Sequence, residues 1–365
     1  MLHQINKDQF TILVDHALLQ DLELKRTALE SSLKNLNLQF LKQLLASKNQ
    51  PYFYACEEDA LSTSLEAAFA YAMNTPQSDG LCGKAYLAYL TQIKQSPDQF
   101  DSTVHETSPY LNDPLGYAMV HLCHWRVGGG QVIMNTASSL DAESSEAFRK
   151  KLEPLFMSEG IELLPYRNDT WIARSKHFRN LPSASFNKVM NDNVLPWLIG
   201  SPSKNAANMN HDLEASIQIL RRLQSEVQMV LYDQSASTPA PGSFNSIWFS
   251  GTGDLPKGWE STSLLSPAEN SEVALYDHQN SQILCLHGLT HHFQNFKLSS
   301  WCAYFEELDQ VIFKTFLQKP NTQIILCGRN GFKVWGPQEA NLLYRGYRAL
   351  KANLLGPIDT LELLT

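Results

Sequence analysis

The sequence holds no Cys-x-x-Cys pair. Its six cysteines, Cys56, Cys82, Cys123, Cys285, Cys302 and Cys327, are scattered, and several fall in apolar runs such as SQILCLHG and QIILCGRNG. This excludes zinc-ribbon and thioredoxin-like motifs and reads as reduced, buried thiols in a cytoplasmic protein. No apolar run approaches the roughly 18 residues of a membrane-spanning helix. The opening MLHQINKDQFTILVDHALL lacks a basic start, an apolar centre and a small-residue cleavage site, so no signal peptide is expected. Positive charge is also short: 29 Lys and Arg against 37 Asp and Glu leave a net charge of −8. That excludes a global basic field for nucleic acid. There is no Gly-x-Ser-x-Gly, no P-loop and no internal repeat.

What is present is a chain built to bury. It has 365 residues, 43% of them hydrophobic and only 18% charged, with seven Trp, thirteen Tyr and seventeen Phe. That length suits two domains, or one large α/β domain with an insertion.

QFTILVDHALL reads as a buried strand presenting Asp15 and His16 at its end. LNLQFLKQLLASK and DALSTSLEAAFAYAM read as helices, the second with Asp59 near its cap, while CGKAYLAYL is ambiguous. GYAMVHLCHWRVGGGQVIMN reads as a hairpin turning at Gly128-Gly129-Gly130. DAESSEAFRKKLEPLFMSEG is a helix with Asp141 as N-cap and Glu143 in its first turn. IELLPYRNDTWIARS gives two more strands. HDLEASIQILRRLQSEVQMVLYD is the clearest helix, with Leu213, Ile217, Leu220, Val227 and Leu231 on one side. Four strand candidates close the chain: NSIWFSGTG, SEVALYD, SQILCLHG and TQIILCGRNG. The helix WCAYFEELDQVIFKTFLQ precedes the last of them. Strands alternating with helices predict a mostly parallel sheet sandwiched by helices.

Ligands of parallel sheets bind at the C-terminal strand ends. Four such ends stand out: Asp15-His16, Ser250-Gly251-Thr252-Gly253, His287-Gly288, and Gly328-Arg329-Asn330-Gly331. Should all four strands share one sheet, these ends gather on one rim. The SGTG turn would let backbone N–H groups approach an anion. It lacks the third glycine of a dinucleotide fingerprint, and a tight turn between packed backbones explains it more simply. In HGLTHH, His287, His291 and His292 lie close in sequence, and Asp15 could add a carboxylate to a metal site. A hydrogen-bonded histidine cluster is the simpler explanation. In VHLCHW, strand alternation puts His121 and Cys123 on one face and His124 on the other, which favours mixed burial over ligation. Arg221-Arg222 reads as a solvated helix face.

The segments LNDPLGYAMVHL, RRLQSEVQMVLYD and above all FNSIWFSGTG, in that order, resemble a bacterial family of RpfE-type regulatory, phosphoglycerate-mutase-like proteins. More distantly, the opening strand and the segment YFEELDQVIFKTFL to TQIILCGRNG resemble archaeal-type cofactor-independent phosphoglycerate mutases of the alkaline phosphatase superfamily. The resemblance implies an alkaline-phosphatase-like α/β core over 1–110 and 200–365, with a smaller α+β domain inserted at 111–199. It implies a ligand-binding rim of Asp15, Asn245, Ser250, Gly251, Thr252, Gly253, Arg329 and Asn330.

The departures from those mutases decide the functional expectation. Active members hold two divalent metals with Asp and His residues and attack phosphate with a Ser or Thr. Where they place an Asp-His pair, this chain has Arg329-Asn330, and arginine cannot ligate a metal. LHGLTHHF keeps histidines but no carboxylate. No nucleophile is assignable; Thr27 is merely nearby in sequence. The expectation is a degenerate metal site with no cofactor, in a non-catalytic regulatory or ligand-binding protein. It would take a small phosphorylated ligand or a regulatory protein partner, with no nucleic acid and no membrane. The alternative is a phosphatase or mutase using Mn or Zn at a rearranged site of Asp15, His287, His291 and His292.

Overall fold

A computed structural model describes residues 9–19, 33, 35–46, 48, 51–74, 79–95, 115–136, 140–201, 211–235, 244–253, 263–264, 273–278, 281–294, 297–317, 319, 321–336 and 363–364. The strands are β1 (Gln9–Val14), β2 (Tyr52–Ala55), β3 (Gly116–Gly128), β4 (Gln131–Thr136), β5 (Glu162–Arg167), β6 (Thr170–Ser175), β7 (Ser246–Gly253), β8 (Ser263–Leu264), β9 (Val273–His278), β10 (Ser281–Leu286), β11 (Thr322–Cys327) and β12 (Gly331–Trp335). The α-helices are α1 (Gln39–Ala46), α2 (Ser64–Ala72), α3 (Lys84–Gln95), α4 (Ala142–Ser158), α5 (Phe186–Val189), α6 (His211–Ser235), α7 (Gly288–Gln294), α8 (Leu298–Leu308) and α9 (Lys314–Phe316). The chain divides into two compact units. The first comprises Met1–Glu58, Ser64–Asn74 and Ser261–Thr365, and the second Asp59–Thr63 and Thr75–Glu260. Both α6 and β7 belong to the second unit.

The first unit is built on a seven-stranded sheet in the order β2-β12-β11-β1-β10-β9-β8. At its centre β1 pairs in parallel with both β10 and β11. These three strands are continuous apolar runs because both of their faces are covered. On one face Phe10, Ile12, Val14, Leu284, Leu286, Ile324 and Leu326 join Trp301, Phe305 and Phe316 in a single core. The expectation of a mostly parallel sheet is corrected here: the outer pairings are antiparallel and the sheet is mixed. The reason is chain length. Two residues separate β9 from β10 and three separate β11 from β12, and a parallel crossover needs a dozen or more.

The WCAYFEEL segment forms α8 but then relaxes into a π-turn, Asp309–Phe313, before α9. This puts Asp309 to use elsewhere. Its carboxylate accepts from Leu41 N at 2.7 Å and Phe40 N at 3.0 Å, capping the first turn of α1 from a distant part of the chain. Asp309→Ala should cost about 1.5 kcal/mol, as loss of a helix cap does. Urea denaturation of the full chain would read it; an unchanged midpoint would show that water replaces the cap. At the other helix placed by its cap, Asp141 accepts from Ser144 N at 2.7 Å and Glu143 stands in the first turn of α4, as the sequence indicated. The helix of SLEAAFAYA begins only at Ser64, beyond Asp59.

The second unit is an antiparallel sheet. The 13-residue β3 is its spine and pairs with β4, β6 and β7, while β5 pairs with β6. The turn to β4 uses Gly129 and Gly130 at positive φ, 59° and 76°, where side chains are strained. On one face Val120, Leu122, Trp171 and Phe249 pack with Leu152 and Phe156 of α4 and with Leu220, Leu223 and Val227 of α6. The amphipathic stripe of α6 is buried as its spacing required. The other face carries α3, which resolves the ambiguous CGKAYLAYL as a helix, and the short α5.

Candidate functional site

The strand ends separate into two places. β1, β10 and β11 are neighbours in the first sheet, so Asp15, His287 and Gly328 follow adjacent strands. β7 is not among them, and residues 250–253 lie within that strand rather than after it. It lies in the second sheet, so Ser250, Gly251, Thr252 and Gly253 do not share a sheet rim with Asp15. The condition for all four ends to gather on one rim, a shared sheet, is not met because β7 finds its partner in the long β3.

At the end of β1, Asp15 is 4% exposed. Its backbone N–H continues the pairing to Leu286 O at 2.9 Å. His16 then takes a left-handed conformation, φ 50°, which is costly for a residue with a side chain. The turn folds the imidazole back: His16 Nδ1 stands 3.1 Å from Asp15 Oδ1, and His16 N donates to the same oxygen at 3.0 Å. Thr290 Oγ1 donates to Asp15 Oδ2 at 2.7 Å. Trp301 Nε1 donates to His16 O at 2.9 Å and fixes the turn. Burial alone would raise the pKa of Asp15. The charge and hydrogen bond of His16, with His287 and Thr290, outweigh it and hold the carboxyl at about 2.

Thr290 was not picked out in the sequence, although it sits inside HGLTHH. Gly288 opens α7 rather than weakening a helix, so His287 lies just before it and the i, i+4 relation of His287 and His291 is not helical. The side chain of His291, and Thr27, lie outside the described residues. Among the described residues no three His, Cys, Asp or Glu stand where they could hold a metal ion. Both Asp15 oxygens are already engaged by protein donors. Beyond β11 the chain turns at Arg329 and Asn330 into β12; Arg329 is exposed, and Asn330 O accepts from Cys56 N at 2.8 Å. The described residues thus do not fit a two-metal centre. Cys327, beside Asp15, has its thiol pushed well above the usual range by burial first and then by Asp15, Cys285 and Cys56, which makes it inert as a thiolate.

In the second unit the SGTG stretch is buried throughout. A bulge opposite Met119 and Tyr117 lets Gly251 take φ 65°. A Cβ there would come within 3.3 Å of Lys84 Cβ and 3.4 Å of Ala85 N, so the glycine admits the start of α3. Thr252 is fully buried; its hydroxyl lies 2.5 Å from Leu181 O, 3.1 Å from Gly80 O and 2.8 Å from Ser183 Oγ. These groups join backbone segments. Asn245, at the other end of β7, clasps β3: its Oδ1 accepts from Trp125 N at 2.7 Å and its Nδ2 donates to Trp125 O at 2.9 Å.

Ser250 is different. Its Oγ is 2.8 Å from His121 Nε2, and His121 Nδ1 is 3.2 Å from Thr170 Oγ1, which donates to Asp169 Oδ1 at 3.1 Å. The ring stacks on Phe186 with centroids 4.2 Å apart. Burial, then the charges of Lys84 and Arg167, lower the pKa of His121 to about 3, so the imidazole is neutral. His121 does alternate with the buried Cys123 in β3; the signal that singled it out would have been a polar residue inside an otherwise apolar strand. Arg221 and Arg222 serve the scaffold: Arg221 donates to Ile199 O at 2.7 Å and Arg222 pairs with Glu159 at 2.6 Å.

No family model and no curated relative matches the chain. Among solved structures, a cofactor-independent phosphoglycerate mutase from Thermoplasma acidophilum DSM 1728 is similar over 92% of this chain and 91% of that one, with 9% sequence identity and a TM-score of 0.30. A likeness that loose carries no argument about activity. No described helix is long and apolar enough to cross a membrane.

Proposed function

We propose that this is a phosphoglycerate-mutase-like protein with a degenerate metal site, which acts by binding a small phosphorylated ligand or a regulatory protein partner rather than by metal-dependent phosphoryl transfer. One observation carries the reading. Both oxygens of Asp15 are held by His16 and Thr290, so the carboxylate serves the turn after β1. A metal clamp for phosphoryl transfer needs carboxylate and imidazole ligands open to the ion. The regulatory role follows from the resemblance to RpfE-type proteins, and a cytoplasmic setting agrees with the scattered cysteines.

The test is elemental analysis of untagged protein purified without chelator and then offered Mn²⁺ and Zn²⁺, with assays on a phosphoglycerate and a general phosphomonoester. The expected result is far less than one equivalent of metal and no turnover above buffer. One or two equivalents of metal with turnover would overturn the reading in favour of a rearranged metalloenzyme.

A further inference from the structure

The face of the second sheet that meets α3 and α5 carries two separate apolar clusters. Tyr117 and Met119 pack with Ala85, Ala88 and Tyr89 of α3. Cys123 and Trp248 pack in a separate cluster with Met134 and Val189. Between these clusters, on the same face, come His121, Ser250 and Thr170. Pairing explains the grouping: His121 lies directly opposite Thr170 on β6, and Ser250 lies opposite Met119, one diagonal step away on β7.

The Thr170–Asp169 bond selects one tautomer of His121. Thr170 gives its hydroxyl proton to Asp169, so it accepts from His121 Nδ1–H. Neutral His121 therefore accepts at Nε2, and Ser250 donates to it. The Ser250 proton is committed inward, and its remaining lone pair is an acceptor for an incoming donor. Two cations flank this chain. Lys84 packs against Gly251, the neighbour of Ser250, with its Cβ position 3.3 Å from a Cβ built there. Arg167 is the cross-strand partner of Thr170, with its guanidinium 5.1 Å from the Tyr166 ring. Both are exposed, and both charges act on His121.

We propose that this polar cluster is a binding site for a small anion that also carries a hydroxyl group, a phosphorylated polyol being the chemical class. Lys84 and Arg167 receive the phosphate, and Ser250 Oγ accepts the ligand's hydroxyl. Neutral His121 holds Ser250 in that orientation. The site gives the binding reading above a place and a ligand class, and it rests on that reading.

The experiment is calorimetric titration of the full chain with glycerol 3-phosphate, inorganic phosphate and glycerol. Saturable binding is expected for glycerol 3-phosphate, weaker binding for phosphate and none for glycerol. Lys84→Gln and Arg167→Gln, both at exposed positions, should each weaken binding about tenfold. Ser250→Ala should erase the advantage over inorganic phosphate, with circular dichroism confirming that it folds. No saturable binding, or binding indifferent to Lys84→Gln and Arg167→Gln, overturns the site. Binding lost instead in Asp15→Asn overturns this site while leaving a binding protein. Metal-dependent turnover would sink the binding-only reading, yet the site would stand if Lys84→Gln and Arg167→Gln still weakened glycerol 3-phosphate.

Discussion

Asp15→Ala should lower stability by about 3 kcal/mol, because it leaves the donors of His16 and Thr290 without their buried acceptor. A second signature separates this from a simple cavity. The carboxyl titrates at about 2 in the fold against 3.8 ordinarily. A depressed acid stabilises above its unfolded pKa and loses that contribution as pH falls through the folded one. The difference approaches two units, or about 2 kcal/mol. Wild-type protein should therefore shed about that much between pH 4 and pH 2, and Asp15→Asn should lack that part of the acid slope. Urea midpoints measured across that range check it. Parallel slopes in the two proteins would show that Asp15 is not held as an anion, and would remove the main support for a protein-bound, metal-free carboxylate.

Thr252→Val should cost about 3 kcal/mol, although the two side chains match in size. The hydroxyl gives its one proton toward the Leu181 carbonyl, with Gly80 O as a second acceptor, and Ser183 donates to it in turn. Valine fills the same volume and strands these groups in a site with no exposure. Thr252→Ser keeps the hydroxyl and should cost about 1 kcal/mol for the lost methyl. Equal losses from Val and Ser would mean that packing, and not the hydrogen bonds, holds SGTG in place. The outcome bears on function: a Thr252 hydroxyl committed to the backbone cannot also meet a ligand.

Much of the architecture was legible because burial leaves a periodic trace. The run TILV reads as a strand covered on both sides, the stripe of α6 reads as a helix against a core, and the triple glycine reads as a hairpin. Each of these signals is local and each was met. The candidate site was legible only in pieces. Asp15 and Arg329 follow strands and Ser250 lies inside one, but no local pattern states which sheet a strand joins. That choice is made by partners far along the chain: β7 pairs with β3 across more than a hundred residues, and β1 lies between β10 and β11. Short connections also overrode the alternation of strands and helices, making the outer pairings of the first sheet antiparallel. The sequence by itself determined the element types, the buried faces and the lack of carboxylates in LHGLTHHF and of an Asp-His pair at Arg329-Asn330. Only the tertiary structure decided that Thr290 and His16 occupy Asp15, that Gly251 and Thr252 join backbones, and that Ser250, His121 and Thr170 form one hydrogen-bonded chain. The physical reason is that hydrogen-bond partners of buried polar groups are chosen by the fold, across distances at which sequence carries no period.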